Sequence, residues 1–201
     1  MVIVISAIYP DKIFDWFLEN ATVGLLLLVL IASYRKLPLS DASYLVIFIF
    51  LAVHEWGAHY KYSDVPLGEW MKPLLHTQRN NYDRVIHFSF GLMMTYPIQE
   101  IYMRVVGVTS RWRYLLPLVT VVCFSAIYEM MEAGMAMILT PERGEEFVGM
   151  QGDIFDSQKD MFVASLGSVA ALVLIAVLRH RRAARAAARE LAAERTEWMP
   201  L

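Results

Sequence analysis

The sequence predicts an all-α membrane protein, built as one bundle of about five transmembrane helices. Hydrophobic residues make up 57% of the 201 residues and charged residues 19%, compared with about 45–50% and about 25% in soluble globular proteins. The mean hydropathy is +0.43. In addition, five apolar runs approach the ~20 residues that a helix needs to cross a bilayer.

The predicted spans follow one another with short connections. Their ranges are 14–34, 42–60, 82–103, 114–139 and 155–178. Pro97 interrupts the third, but neighbouring helices can satisfy the backbone groups that such a proline frees. Segment 1–8 is apolar but too short to span. Because it lacks the basic start and small-residue cleavage site of a signal peptide, we expect a cap at the membrane interface.

The last span carries small residues that predict close helix packing. Gly167 and Ser168, with alanines at 164, 170 and 171, can form one narrow side of this helix. Helices in membranes approach each other closely at such positions. We therefore expect this side to face another helix.

The basic residues predict the orientation. Short cytoplasmic loops accumulate lysine and arginine. With the C-terminus inside, eleven basic residues lie on the cytoplasmic side and seven on the opposite side. We therefore expect the N-terminus outside and a single transmembrane domain over 1–178. Residues 179–201 form an Ala- and Arg-rich cytoplasmic tail, which we expect to be helical.

Ionisable residues from four spans converge on the outer side of this predicted bundle. Glu129 and Glu132 lie inside an apolar run, where a charge is costly unless it faces the protein interior or water. Asp83 and His87 are four positions apart and can share a helix face. Asp153, Asp156 and Asp160 begin the last span, and the second span ends with His54, Glu55 and His59.

This combination of carboxylates and imidazoles is typical of a site for a divalent metal ion. The sequence does not indicate which ion. We expect the metal ligands to come from His54, Glu55, His59, Asp83, His87, Asp153 and Asp160. For catalytic acid and base groups we expect Glu129, Glu132 and Asp156, and for substrate contacts Arg84, Tyr82 and Lys159.

Several segments resemble the YjdF-like family of bacterial inner-membrane proteins. The similar motifs are His54-Glu55 through Tyr60, Tyr82-Asp83-Arg84 through His87-Phe88, Tyr128-Glu129 through Glu132, and Gly152 through Met161. The resemblance covers nearly the whole chain and implies a multi-pass protein of the bacterial plasma membrane, but no particular reaction. A looser similarity connects the chain with VanZ-like membrane proteins. Those commonly carry an asparagine one turn after the last-span aspartate, where this chain has Ser157 or Asp160.

Three functions remain open from the sequence. The first is a metal-dependent hydrolase or transferase that acts on a membrane lipid or a lipid-linked substrate. The second is a protein that binds and transports a cation or a proton. The third is a non-catalytic membrane protein whose buried charges only fix helix packing. We expect no nucleic-acid partner, and the sequence does not indicate the oligomeric state.

Overall fold

The structure, a computed structural model, describes residues 2–197. Within this range the regular structure is helical and no strand is present. The helices are α1 (Val2–Ser6), α2 (Ile13–Ser33), α3 (Asp41–Tyr60), α4 (Pro66–Leu75), α5 (Tyr82–Ile101), α6 (Trp112–Ile138), α7 (Pro141–Val148) and α8 (Asp156–Glu197). The predicted all-α class is confirmed.

Among the described residues, four helices are long and apolar enough to cross a membrane: α2, α3, α6 and α8. The remaining predicted span is α5, which has 20 residues. It has the length of a span, but its ionisable residues make it more polar than the other four. It packs against α3, α6 and α8. The polar helix therefore lies among the apolar ones.

The last helix continues well beyond the predicted span. It has 42 residues, which corresponds to about 63 Å at about 1.5 Å per residue. The hydrocarbon core of a bilayer is only about 30 Å thick. The predicted tail is therefore a direct continuation of α8 through residue 197, because alanine and arginine both favour helix. Residues 198–201 of that tail lie outside the described range.

The contact between α5 and α8 is the most extensive among the described helices and depends on glycine. A Cβ atom placed on Gly91 would lie 1.9 Å from the carbonyl oxygen of Ala164, and one placed on Gly167 would lie 2.2 Å from that of Phe88. Thr95 donates a 2.7 Å hydrogen bond to Ser168 in the same contact. The predicted small-residue side of α8 is thus confirmed at 164, 167, 168 and 171, whereas the alanine at 170 is exposed.

The two ends of the bundle differ in character. We call the end that contains the C-terminal parts of α3 and α6 and the first turns of α2, α5 and α8 the acidic end. The short helices α4 and α7 also lie there, since they connect these helix ends. At the opposite end, Glu100 accepts hydrogen bonds from the backbone of Ser40 at 2.8 Å and from the hydroxyl of Ser43 at 2.5 Å. This carboxylate anchors the start of α3 to α5.

Candidate metal site at the acidic end

Two arginines bind the first turn of α8: Arg84 of α5, and Arg79 of the segment between α4 and α5. The guanidinium of Arg84 donates from Nη1 to Asp160 and from Nη2 to Asp156, and Nη2 also lies 3.3 Å from Asp153. Nη2 of Arg79 lies 2.7 Å from Oδ1 of Asp156. Arg84 was expected to bind substrate, but the structure places its guanidinium against three aspartates. The guanidinium of Arg84 therefore connects the two helices.

A histidine and two further carboxylates lie beside these ion pairs. Nε2 of His87 is 3.6 Å from Oδ1 of Asp83 and 3.3 Å from Oε1 of Glu129. On the other side of the ring, Nδ1 lies 3.4 Å from the hydroxyl of Ser125. A hydrogen bond at Nδ1 leaves Nε2 as the nitrogen that can bind a metal. The helical spacing of Asp83 and His87 predicted this shared face.

Asp83, His87 and Asp160 form the candidate metal site, which we call the Asp83 cluster. One ligand atom from each of them lies within 4.8 Å of the others. Adjacent ligands of a tetrahedral zinc ion are about 3.4 Å apart when each bond is about 2.1 Å long. The 3.6 Å between Nε2 of His87 and Oδ1 of Asp83 is close to this value.

The arginines leave ligand atoms free in the Asp83 cluster. Asp160 uses Oδ2 for Arg84, while its buried Oδ1 has no hydrogen-bond partner among the described residues. Asp83 likewise directs Oδ2 toward Arg79, at 3.6 Å, and Oδ1 toward His87. Because an unpaired buried oxygen is costly, the free atoms favour a cation at this position.

The expected ligands at the end of α3 lie in a second polar group. Ser6 of α1 donates to Oε2 of Glu55, and the indole of Trp16 donates to the Ser6 hydroxyl at 3.1 Å. Nδ1 of His59 lies 2.9 Å from the carbonyl oxygen of Ser6. The structure therefore pairs Glu55 and His59 with the N-terminal cap. The reason is that α1 packs against α3, an arrangement that the sequence did not indicate.

The remaining expected residues have several different environments. Nδ1 of His54 lies 2.6 Å from the hydroxyl of Tyr62. Tyr82 is fully buried and donates its hydroxyl to the carbonyl of Val53 at 2.6 Å, so this hydroxyl is already engaged inside the bundle. Glu132 is half-buried and lines a small cavity together with Asp15, Glu19 and Asp83.

Lys159 and Asp153 form an ion pair at the rim of the acidic end. Lys159 is exposed, and Nζ lies 2.6 Å from Oδ2 of Asp153. This ammonium group, with the backbone N–H of Phe155, lowers the pKa of the Asp153 carboxyl below its ordinary value. The pair lies beside the start of α8. Asp153 is not one of the residues whose ligand atoms form the Asp83 cluster.

Further ionisable residues at the acidic end were not singled out from the sequence, among them Asp15, Glu19 and Arg79. Asp15 and Glu19 belong to the first turns of α2 and are buried, and Arg79 binds Asp156. Glu19 accepts a 2.6 Å hydrogen bond from Tyr128, and Oδ1 of Asp15 lies 2.9 Å from Arg143. Asp15 and Glu19 are four positions apart at the start of an apolar run, and this spacing could have indicated that both face the protein interior.

Fold and site together define a multi-pass α-helical membrane protein with a buried cluster of carboxylates and histidine. Residues 1–181 match the family described as "Predicted membrane protein (DUF2238)", and the chain belongs to that family. It is 30% identical over 179 residues to the "Inner membrane protein YjdF" of Escherichia coli (strain K12), a match that covers 88% of this chain and 84% of that protein. No solved structure matches the chain. The resemblance to YjdF-like proteins is thereby confirmed.

Proposed function

We propose that this inner-membrane protein is a metal-dependent hydrolase or transferase that acts on a lipid or a lipid-linked substrate. The observation that supports the proposal is the Asp83 cluster, with Oδ1 of Asp160 buried and without a partner among the described residues. The inner-membrane location is that of the relative from Escherichia coli. The substrate of this protein would approach from the membrane at the acidic end of the bundle.

The donor set favours a transition metal. One imidazole nitrogen and two carboxylate oxygens suit Zn²⁺, Mn²⁺ or Fe²⁺ better than Ca²⁺, which prefers six to eight oxygen ligands. Three protein ligands also leave a coordination position for water, as catalytic sites require. A Zn²⁺ ion held by these three residues would lower the pKa of a bound water to about 7.

Glu129 is the group best placed to act as general base. Its Oε1 lies 3.3 Å from Nε2 of His87, and this oxygen has no hydrogen-bond partner among the described residues. It can therefore take a proton from a water molecule bound beside His87. Asp156, by contrast, is held by Arg79 and Arg84. We infer that Asp156 positions these two guanidinium groups, although the sequence suggested a catalytic role for it.

Metal content of the detergent-purified protein is the first test. We expect about one equivalent of a divalent metal after loading with Zn²⁺ or Mn²⁺, and a large loss of metal in Asp160→Asn. Asp64→Asn is the matched control, because Asp64 is exposed at the same end and bonds only the neighbouring Ser63 among the described residues. Equal metal content in both variants would contradict the metal site.

Turnover is the second test and separates an enzyme from a packing network or a transporter. The purified protein would be incubated with Zn²⁺ or Mn²⁺ and lipids from a bacterial inner membrane, and products would be followed by mass spectrometry. We expect Glu129→Gln to abolish product formation and to keep its metal. Bound metal without any product in the wild type would contradict the enzymatic part of the proposal.

A further inference from the structure

Basic side chains pair with carboxylates at the acidic end but mostly not at the opposite end, which we call the basic end. All seven lysines and arginines of the acidic end form ion pairs: Lys12, Lys61, Lys72, Arg79, Arg84, Arg143 and Lys159. At the basic end, Arg104 pairs with Glu100. No ion pair among the described residues involves Arg35, Lys36, Arg111, Arg113 or Arg179. The basic end therefore carries positive charge that the described part of the chain does not neutralise.

Two of these arginines meet at one glutamine near the end of α5. Gln99 is 1% exposed, and its Nε2 donates a 2.8 Å hydrogen bond to the carbonyl oxygen of Arg113 at the start of α6. Its Oε1 accepts a 3.1 Å hydrogen bond from Nη2 of Arg179 in α8. This buried amide joins three helices, and we call the group of Gln99, Arg113 and Arg179 the Gln99 junction.

Neither arginine of the Gln99 junction has a negatively charged partner among the described residues. Cζ of Arg113 lies 5.4 Å from the centre of the Tyr114 ring, and its buried Nε has no hydrogen-bond partner among those residues. Nη2 of Arg179 donates to Gln99 and to the sulfur of Met103 at 3.0 Å, which are both neutral. The two arginines are half-buried. Because a partly desolvated charge needs a counter-charge, the junction favours an anionic ligand.

The Gln99 junction lies at the level of the lipid headgroups. Arg113 directly precedes the predicted span 114–139, and Arg179 directly follows the predicted span 155–178. An arginine at the end of a span extends its guanidinium to the membrane interface. Trp112 is exposed beside Arg113, and tryptophan is enriched at the same level. The phosphates of membrane lipids are therefore within reach of both arginines.

The surface next to the Gln99 junction is apolar. Trp112 and Leu115 are exposed and three positions apart at the start of α6, and Val177 and Leu178 are exposed at the end of the apolar part of α8. Exposed apolar surface of this kind is typical of contact with a membrane. A free phosphate ion or a nucleic acid would leave these side chains uncovered, whereas a phospholipid covers them with its acyl chains.

We propose that the Gln99 junction binds the phosphate of an anionic phospholipid through Arg113 and Arg179. The planar guanidinium groups offer paired N–H donors that match the oxygens of a phosphate. The negative charge of the headgroup compensates the unpaired arginines, as it does in basic pockets between the ends of transmembrane helices. This lipid site lies at the opposite end of the bundle from the Asp83 cluster and does not depend on a metal.

Lipid binding to the purified protein tests this site. The full-length protein would be delipidated in detergent and titrated with phosphatidylglycerol or with zwitterionic phosphatidylethanolamine, and lipid adducts would be measured by native mass spectrometry. We expect phosphatidylglycerol to bind at least about 10-fold more tightly, because each arginine contributes about fivefold to the binding of an anionic lipid. In the double variant Arg113→Gln and Arg179→Gln, this preference for phosphatidylglycerol should disappear.

Arg104→Gln is the matched control, because it removes an arginine of the same end that already pairs with Glu100. Its affinity for phosphatidylglycerol should stay within about twofold of the wild type. If the double variant does not fold, Arg113→Gln alone replaces it, since this change leaves both hydrogen bonds of Gln99 in place. We then expect the affinity for phosphatidylglycerol to fall about fivefold.

Glycerol 3-phosphate distinguishes a lipid from a small anion, because it carries the phosphate without the acyl chains. We expect phosphatidylglycerol to stay bound in a large molar excess of this compound. Its displacement would make the junction a site for small anions and would overturn the lipid proposal. Equal binding of the two lipids by the wild type, or equal affinity of the wild type and the arginine variants for phosphatidylglycerol, would overturn it as well.

Discussion

The hydroxyl of Tyr128 in α6 donates a 2.6 Å hydrogen bond to Oε2 of Glu19 in α2. The Tyr128 ring also meets the ring of His87 edge to face, with 6.0 Å between centroids. This tyrosine therefore connects the first span to the helix that carries the candidate metal site. Glu19 is 7% exposed, so the bond lies inside the bundle.

We expect Tyr128→Phe to destabilise the protein by about 1–3 kcal/mol, because it leaves the Glu19 carboxyl without this donor in a buried place. Thermal melting in detergent would measure the change. Tyr102→Phe is the matched control. The Tyr102 hydroxyl lies 2.8 Å from the hydroxyl of Thr120 at the opposite end, and Thr120 also donates a hydrogen bond to the carbonyl oxygen of Leu116, which the substitution leaves in place. An equal effect in both variants would contradict a special role for the Glu19 contact.

The sequence predicted the long helices well, because hydropathy and length determine them. The span predicted for 114–139 is α6, and that for 42–60 is α3, each within two residues at either end. The helices α4 and α7 were not predicted, although both begin with proline in the first turn and α7 has Thr140 as its N-cap and Gly149 at φ 65° after its end. These are known start and stop signals.

The site was predicted only in part, because partner choice depends on how each helix is rotated. Four-residue spacing correctly placed Asp83 beside His87. It could not show that α1 folds back onto α3 and that Ser6 takes the carboxylate of Glu55. Nor could it show that Arg79 and Arg84 surround Asp156. Contacts between residues distant in the sequence require the packed bundle.

Substitution of Gly167 tests the packing of α5 against α8. Gly167→Ala would place a methyl group 2.2 Å from the backbone oxygen of Phe88, so we expect a loss of about 1–3 kcal/mol from overpacking. Gly24→Ala is the control, because a Cβ there meets no atom within 4 Å. It should be neutral or stabilising, since alanine favours helix over glycine by about 1 kcal/mol. Similar melting temperatures for the two variants would contradict the close contact.

The attachment of α7 should depend on pH through Glu146. Its ion pair with Arg143, followed by those with Lys12 and Lys61, lowers the pKa of this carboxyl from 4.5 to about 2. A group with a lowered pKa in the folded state stabilises the fold above its ordinary pKa and loses that effect as the pH falls. We therefore expect the melting difference between wild type and Glu146→Gln to be full above about pH 5 and to shrink toward pH 2. A difference that does not change over this range would contradict the prediction.

The orientation in the membrane follows from the distribution of basic residues and remains a prediction. We expect a phosphatase reporter that works only outside the cytoplasm to be active when fused to the N-terminus and inactive when fused to the C-terminus. The reason is the positive-inside rule, since eleven of the basic residues share the side of the C-terminus. An active C-terminal fusion would place the acidic end at the cytoplasmic face.

The double contact of Arg84 with Asp156 and Asp160 gives the most specific prediction. Its two terminal nitrogens bind different aspartates of α8, and all three side chains are at most 15% exposed. Arg84→Met should cost about 3–5 kcal/mol, because it leaves the buried carboxylate of Asp160 without its cation, whereas Asp156 keeps Arg79.

Arg84→Lys separates the charge from the geometry of the guanidinium. The lysine keeps the positive charge but presents a single nitrogen, which cannot hold both aspartates in the forked arrangement of arginine. We therefore expect its loss of stability to lie between those of the wild type and Arg84→Met in detergent melting. Arg104→Met serves as the control, because Arg104 is exposed and its partner Glu100 keeps its hydrogen bonds from Ser40 and Ser43. We expect a loss of about 0–1 kcal/mol, as for pairs that involve an exposed side chain. If Arg84→Lys melts like the wild type, one contact suffices and the fork does not join α5 to α8.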